Sequence, residues 1–320
     1  MAQKSAIPLI KTMEELISQA QEISLTEPPR WVAVAAAHDE AAIQAIVEAH
    51  REGIAQGLLI GDKEKIQVLI EENGGQIKNF KIVATSSDEE SAELSAQAVA
   101  AGEADIIMKG ILPTSKLLKS VLKQKYGLRR RGLLSHTAVI SPRRYHKLLM
   151  VTDGGMVIKP NFEQKIEIIR NAVMVGWALG IEKPKVAVLT TIDYVVEAFP
   201  ETFEAAALSK MGERGQIARC IIDGPMSFDT AVYPPAVDYQ GIMSPVAGDA
   251  DIVVANSIEE GNILAKSLIQ FGGAAFAGVI VGAKVPISLV SRADTAFNKL
   301  ASLGLAVIIS HYSRSQISNN

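Results

Sequence analysis

The sequence predicts an α/β protein of two domains, and three observations carry that prediction. Short apolar runs alternate with amphipathic stretches of helical length almost throughout. The runs are continuously apolar rather than alternating, as in parallel strands covered on both faces. At 320 residues the chain has room for two ordinary domains.

Taken in order, residues 31–36 (WVAVAA) are expected as a strand and 39–56 as a helix with Asp39 near its start. A short strand at 58–61 precedes a helix over 62–72, which stops at Asn73-Gly74-Gly75. A strand at 81–85 leads to a helix over 87–101, whose opening Ser-Ser-Asp-Glu-Glu serves as cap and as favourable charge at the positive helix end. A strand at 105–108 and a helix from Thr114 to 125, preceded by Pro113, follow. Strands at 137–140 and 148–152 lie so close that they pair antiparallel and mark the crossing between domains. Beyond them come a helix over 161–179, a strand at 185–190, a helix over 201–211 and a strand at 218–222. Strand 251–255, helix 258–270, strand 277–281 and a closing helix over 294–309 complete the pattern.

Composition narrows the function. With 48% hydrophobic and only 5% aromatic residues, the core must be built mainly of Ala, Val, Ile and Leu. A net charge of −3 argues against bulk nucleic-acid binding or a strongly basic membrane surface. Cys220 is the only cysteine, so no intrachain disulfide forms, and a reducing cytoplasmic location is expected. No stretch reaches the ~20 apolar residues of a membrane span, and no signal-peptide pattern opens the chain. Dinucleotide, P-loop, nucleophile-elbow and zinc-protease motifs are absent. The histidines do not cluster with acidic residues at metal-ligand spacing. Asp223, Asp229 and Asp251 stand beside turn residues, where aspartates are commonly structural. No metal is expected.

One segment stands out. Residues 106–152 contain no Asp or Glu but hold eleven basic residues, among them Lys109, Lys116, Lys123, Lys125, Arg129, Arg130 and Lys147. Two readings are open: a solvated helix face with a polar loop, or a dock for a compact polyanion such as coenzyme A. Within it, Lys109-Gly110-Ile111-Leu112-Pro113-Thr114-Ser115 follows a strand and opens a helix. Gly110 allows close backbone approach, while Thr114 or Ser115 can cap the helix and face an anion at its positive end. The alternative for this loop is an ordinary cap without a ligand.

The motifs then fall into a familiar order. Met108-Lys109-Gly110, Thr114 with Leu117-Leu118, Gly127-Leu128-Arg129, Ser135-His136, Asp223-Gly224-Pro225, Ser244-Pro245-Val246-Ala247-Gly248, Gly261-Asn262 with Lys266, Gly282-Ala283 with Pro286, and Ser291-Arg292-Ala293-Asp294 occur in sequence. Together they resemble the phosphate acetyltransferase/phosphate butyryltransferase family, closest to its butyryltransferase branch, from about Asp105 to the C-terminus. The resemblance implies two α/β/α domains of the isocitrate/isopropylmalate dehydrogenase type with a cleft between them. It divides the chain into 1–133 plus 284–320, including the C-terminal helix, and 134–283. It also implies a homodimer and the reaction acyl-CoA + phosphate = acyl phosphate + CoA, with CoA as substrate and no bound cofactor. Ser291, Arg292 and Asp294 take the catalytic positions. Lys109, Gly110, Thr114, Ser115 and Asn262 are the expected phosphate or acyl-phosphate contacts, and Arg129, Arg130 and His136 the CoA contacts.

Two departures from the family pattern matter. Asn298 stands where the acetyltransferases carry an aspartate proposed to deprotonate the CoA thiol, so Asp294, another carboxylate, or positive charge must do this work. Ala265 replaces a tyrosine, which leaves room for a longer acyl chain and favours butyryl over acetyl. Two other readings compete: a metal- and NAD(P)-dependent oxidoreductase on the same fold, and a non-catalytic CoA-binding subunit.

Overall fold

The computed structural model describes residues 7–130, 132–289 and 294–317. Chain order begins α1 (Met13–Thr26), β1 (Arg30–Ala35), α2 (Glu40–Arg51), β2 (Ala55–Gly61), α3 (Lys63–Glu72), β3 (Lys81–Ala84), α4 (Asp88–Ala100), β4 (Ile106–Lys109) and α5 (Thr114–Val121). It continues through β5 (Ser135–Ser141), β6 (Leu149–Thr152), α6 (Phe162–Ala178), β7 (Lys185–Leu189), α7 (Glu201–Glu213), β8 (Ile221–Met226), α8 (Phe228–Val232), α9 (Pro234–Gln240), β9 (Ile252–Val254) and α10 (Ile258–Gln270). It ends with β10 (Ala275–Val281), β11 (Ile287–Ser288) and α11 (Ala296–Ile317). This is a mixed α/β fold. Among the described residues no helix is long and apolar enough to cross a membrane.

The chain forms two compact units, one of Glu14–Arg131 with Ala277–Asn320 and the other of Met1–Met13 with Gly132–Phe276. In the first unit the strands lie in the order β3-β2-β1-β4-β11-β10. β1, β2, β3, β4 and β11 are mutually parallel, and β10 runs antiparallel to β11. From β1 the chain steps outward through β2 to β3, then returns through α4 to place β4 on the opposite side of β1. That reversal makes a topological switch point between the carboxyl ends of β1 and β4, where open α/β sheets bind ligands.

Local chemistry explains most element ends. Asp39 caps α2 by accepting from Ala42 N–H at 3.0 Å, and Ser87 caps α4 by accepting from Glu90 N–H at 3.2 Å. Asn161 and Gln164 form a reciprocal capping box at the start of α6. α1 is a helix that the periodicity of Met13, Leu16, Ala20 and Ile23, all buried, could have revealed. Leu16 and Ala20 pack beside Gly304, where α11 is buried all round from Asn298 to Ser310.

In the second unit the order is β5-β6-β9-β7-β8. β5 and β6 pair antiparallel, as their short connection predicts, and the other pairings are parallel. β8 begins later than the apolar run at 218–222 suggests. Arg219 takes a left-handed φ of +57°, which interrupts extended backbone ahead of Ile221.

Candidate active site

At the first unit's switch point the two strand ends are in backbone contact. Gly110 N–H donates to Ala35 C=O at 2.8 Å, and Ile111 N–H to Ala36 C=O at 3.1 Å. A Cβ on Gly110 would fall 2.1 Å from the Ala36 carbonyl oxygen. The glycine is therefore required by the close approach of the protein's own β1 backbone. Lys109 Nζ donates back to the carbonyls of Gly110 (2.9 Å) and Leu112 (3.3 Å), so its ammonium closes the loop. Beside this turn lies a cavity of about 450 Å³, lined by His38, Gln44, Ile111 and Lys299 among others.

Thr114 and Ser115 form the first turn of α5, but neither caps it. Pro113 occupies the cap position, and no side chain bonds the helix end. A proline that cannot continue a helix backward suits that place. Both hydroxyls are thus at the positive helix terminus, uncommitted to capping.

The acid-free segment is less positive in space than in sequence. Lys116 pairs with Glu89, and Lys123 and Lys125 both pair with Glu93, all from α4. Tyr126 Oη also donates to Glu93 (2.7 Å), and these contacts, led by Lys123, pull its carboxyl down to about 2. Lys147 bridges Asp249 (2.8 Å) and Asp251 (2.7 Å). For Lys116, Lys123 and Lys125 the solvated, locally neutralised reading holds, whereas Lys147 is mostly buried between its two aspartates. Arg129 is exposed and forms an isolated antiparallel bridge with Ala283, and Arg130 is half-buried.

In the second unit, His136 and Asn262 converge on one loop. Asp153, at the end of β6 and only 2% exposed, accepts backbone N–H groups from Gly155 (2.7 Å), Met156 (2.8 Å), Val157 (3.3 Å) and His136 (3.2 Å). Burial raises its pKa, and these N–H groups oppose the rise. Asn262 Nδ2 donates to Gly154 C=O at 3.0 Å. The backbone carbon of Gly261 would lie 2.7 Å from a Cβ on Gly154, so Gly154 and Gly261 let the loop and α10 touch. The His136 ring rests against Gly155, and its buried Nδ1 has no partner among the described residues. Burial pushes the imidazole pKa down to about 4. The ring is neutral at pH 7 and can offer a hydrogen bond but no charge to a phosphate. Sequence reading missed Asp153, although Asp-Gly-Gly after a strand is a recognisable turn signal.

Ser291 and Arg292 lie outside the described residues. Asp294 is half-buried just before α11. The cap of that helix is Thr295, whose Oγ1 accepts from Asn298 N–H at 3.2 Å. Asn298 itself is buried. Among the described residues no three His, Cys, Asp or Glu side chains are grouped to hold a metal ion.

Ala265 corrects an expectation. It is 8% exposed and belongs to the second unit's apolar cluster with Ala138, Ile140, Leu149 and Val151. Its side chain meets core, so its small size reflects packing and carries no information about acyl length. Ala265→Tyr is expected to overpack that core by about 1–3 kcal/mol and lower Tm. A variant that melts with the wild type would return Ala265 to the substrate argument.

The phosphate acetyl/butaryl transferase family model matches residues 89–307. The probable phosphate butyryltransferase of Bacillus subtilis is 45% identical over 281 residues, covering 88% of this chain and 93% of that protein. The phosphate acetyltransferase of Thermotoga maritima is 42% identical over 277 residues, covering 87% of this chain and 94% of that protein. The crystal structure of a branched-chain phosphotransacylase from Enterococcus faecalis V583 superimposes with a TM-score of 0.78 at 33% identity, covering 88% of this chain and 99% of that one. A match of this extent in sequence and in fold leaves one assignment: the chain belongs to the phosphate acetyl/butyryl transferase family of acyltransferases.

Proposed function

We propose that this protein catalyses acyl-CoA + phosphate = acyl phosphate + CoA on a short acyl group. The observation that carries the reading is the near full-length similarity to relatives named as butyryl- and acetyltransferases of phosphate. In this reading Ser291 and Arg292 contact the phosphate and the reacting carbonyl, with Asp294 beside them. Arg292 offsets the charge that develops on the carbonyl oxygen as phosphate attacks. Lys109, Gly110, Thr114, Ser115 and Asn262 support the phosphate-binding end: Thr114 and Ser115 with hydroxyls at a helix N-terminus that they do not cap, the others by shaping the loops. Arg129 and Arg130 take phosphates of CoA, and His136 contributes a neutral hydrogen bond.

We further propose the isocitrate-dehydrogenase-like arrangement of two domains about a cleft, divided near 133 and 284, and assembly as a homodimer. A cytoplasmic location fits the single cysteine. No cofactor is required by this chemistry, since CoA and phosphate are both substrates.

The test is CoA-thiol release from acetyl-, propionyl-, butyryl- and isobutyryl-CoA, with and without inorganic phosphate. Phosphate-dependent release that persists after chelator treatment is expected. NAD(P) reduction without thiol release would favour the oxidoreductase. CoA binding without turnover would favour the non-catalytic subunit.

A further inference from the structure

Among the described residues two lysines are buried, and they are held in different ways. Lys165, 4% exposed, gives its ammonium to the Glu204 carboxylate at 2.6 Å and to Asn256 Oδ1 at 2.9 Å. Its charge is balanced within the fold. Lys299, 5% exposed in the first turns of α11, donates to Gln44 Oε1 at 2.8 Å, a neutral amide. Among the described residues it has no ion-pair partner. A buried ammonium without a counter-charge is costly, and native proteins pair such groups.

Lys299 also borders the cavity beside the β1–β4 switch point. The other basic group there, His38, is already engaged. Its Nδ1 accepts from Asp62 N–H at 3.3 Å, and its Nε2 stands 3.5 Å from Asp88 Oδ1. Ile111 brings the Lys109–Ser115 loop to the same cavity. A buried cation held by a neutral amide therefore borders open space where α/β sheets collect ligands.

We propose that Lys299 is the fixed cation of an anion subsite that takes a phosphate group of one of the two substrates, oriented by Gln44. The proposal rests on the acyl-transfer reading above. Inorganic phosphate suits the place best. The carboxylates of Asp39 and Glu40 also border the cavity, and inorganic phosphate, which keeps a P–OH proton near pH 7, can donate a hydrogen bond to a carboxylate where the fully ionised diphosphate of CoA cannot.

The experiment compares wild type, Lys299→Gln, Lys299→Arg and Gln44→Ala. It reads Tm with inorganic phosphate, CoA or 3′-dephospho-CoA added, together with KM for phosphate and for acyl-CoA. Lys299→Gln is expected to abolish the phosphate-induced rise in Tm and to raise KM for phosphate about ten-fold or more, as loss of one charged contact does. KM for acyl-CoA should stay within about two-fold, and Lys299→Arg should recover part of the response. A variant that loses its response to CoA, but keeps those to phosphate and to 3′-dephospho-CoA, would place the CoA 3′-phosphate in the subsite instead. Unchanged responses to all three ligands overturn the proposal. Should Lys299→Gln not fold, Gln44→Ala decides by the same readouts. A wild type without phosphate-dependent thiol release defeats the reaction assignment, and the Tm series then judges the subsite alone.

Discussion

Arg292→Ala is expected to fold normally and to lose about 10²–10³ in kcat, the usual cost of removing one donor that stabilises a developing oxyanion. As phosphate attacks the thioester, negative charge builds on the carbonyl oxygen while the phosphoryl oxygens already carry charge. A planar guanidinium can hold two such oxygens at once, which an ammonium cannot do with the same geometry. Arg292→Lys should therefore recover only a small part of the loss. Because the interaction strengthens toward the transition state, kcat should fall more than KM rises. The measurement is steady-state thiol release alongside a melting curve. A folded Arg292→Ala protein with near wild-type kcat removes this residue from the mechanism.

Gly110→Ala is expected to cost about 4 kcal/mol or more and to leave little soluble protein. The added Cβ would sit 2.1 Å from Ala36 O and 2.6 Å from Ala35 O, both backbone atoms that no rotamer change can move. Relief requires parting β1 from β4, which are central in the first unit's sheet, and breaking the Gly110 N–H bond to Ala35. Since whole domains are stable by only about 5–15 kcal/mol, one such change takes a large share. Gly102→Ala is the control. Its φ is +77° with nothing within 4 Å of the added carbon, so only the left-handed backbone penalty of about 1–2 kcal/mol applies. Urea unfolding of both variants makes the comparison, and a Gly110→Ala midpoint equal to the control's would show that the strands yield cheaply.

The sequence by itself determined the alternation of strands and helices, the helix start at Asp39, the cap opening the helix at Ser87, the antiparallel β5–β6 pair and the ordered motifs of the family. Each rests on neighbours in the chain: a cap oxygen reaches an N–H three residues on, and a short connection leaves two strands little choice of partner. Tertiary structure alone decided what depends on distant partners. The two-residue strand β11 exists only because β4 and β10 flank it. The basic segment is partly neutralised because Glu89 and Glu93 arrive from α4, 27 to 32 positions away along the chain. The β1 backbone requires glycine at 110, and Ala265 turns to the core, facts set by packing directions that composition does not encode. Lys299 shows the same limit. In sequence it is one more lysine at the start of an apolar helix, and burial beside a neutral amide and an open cavity is what gives its charge a use.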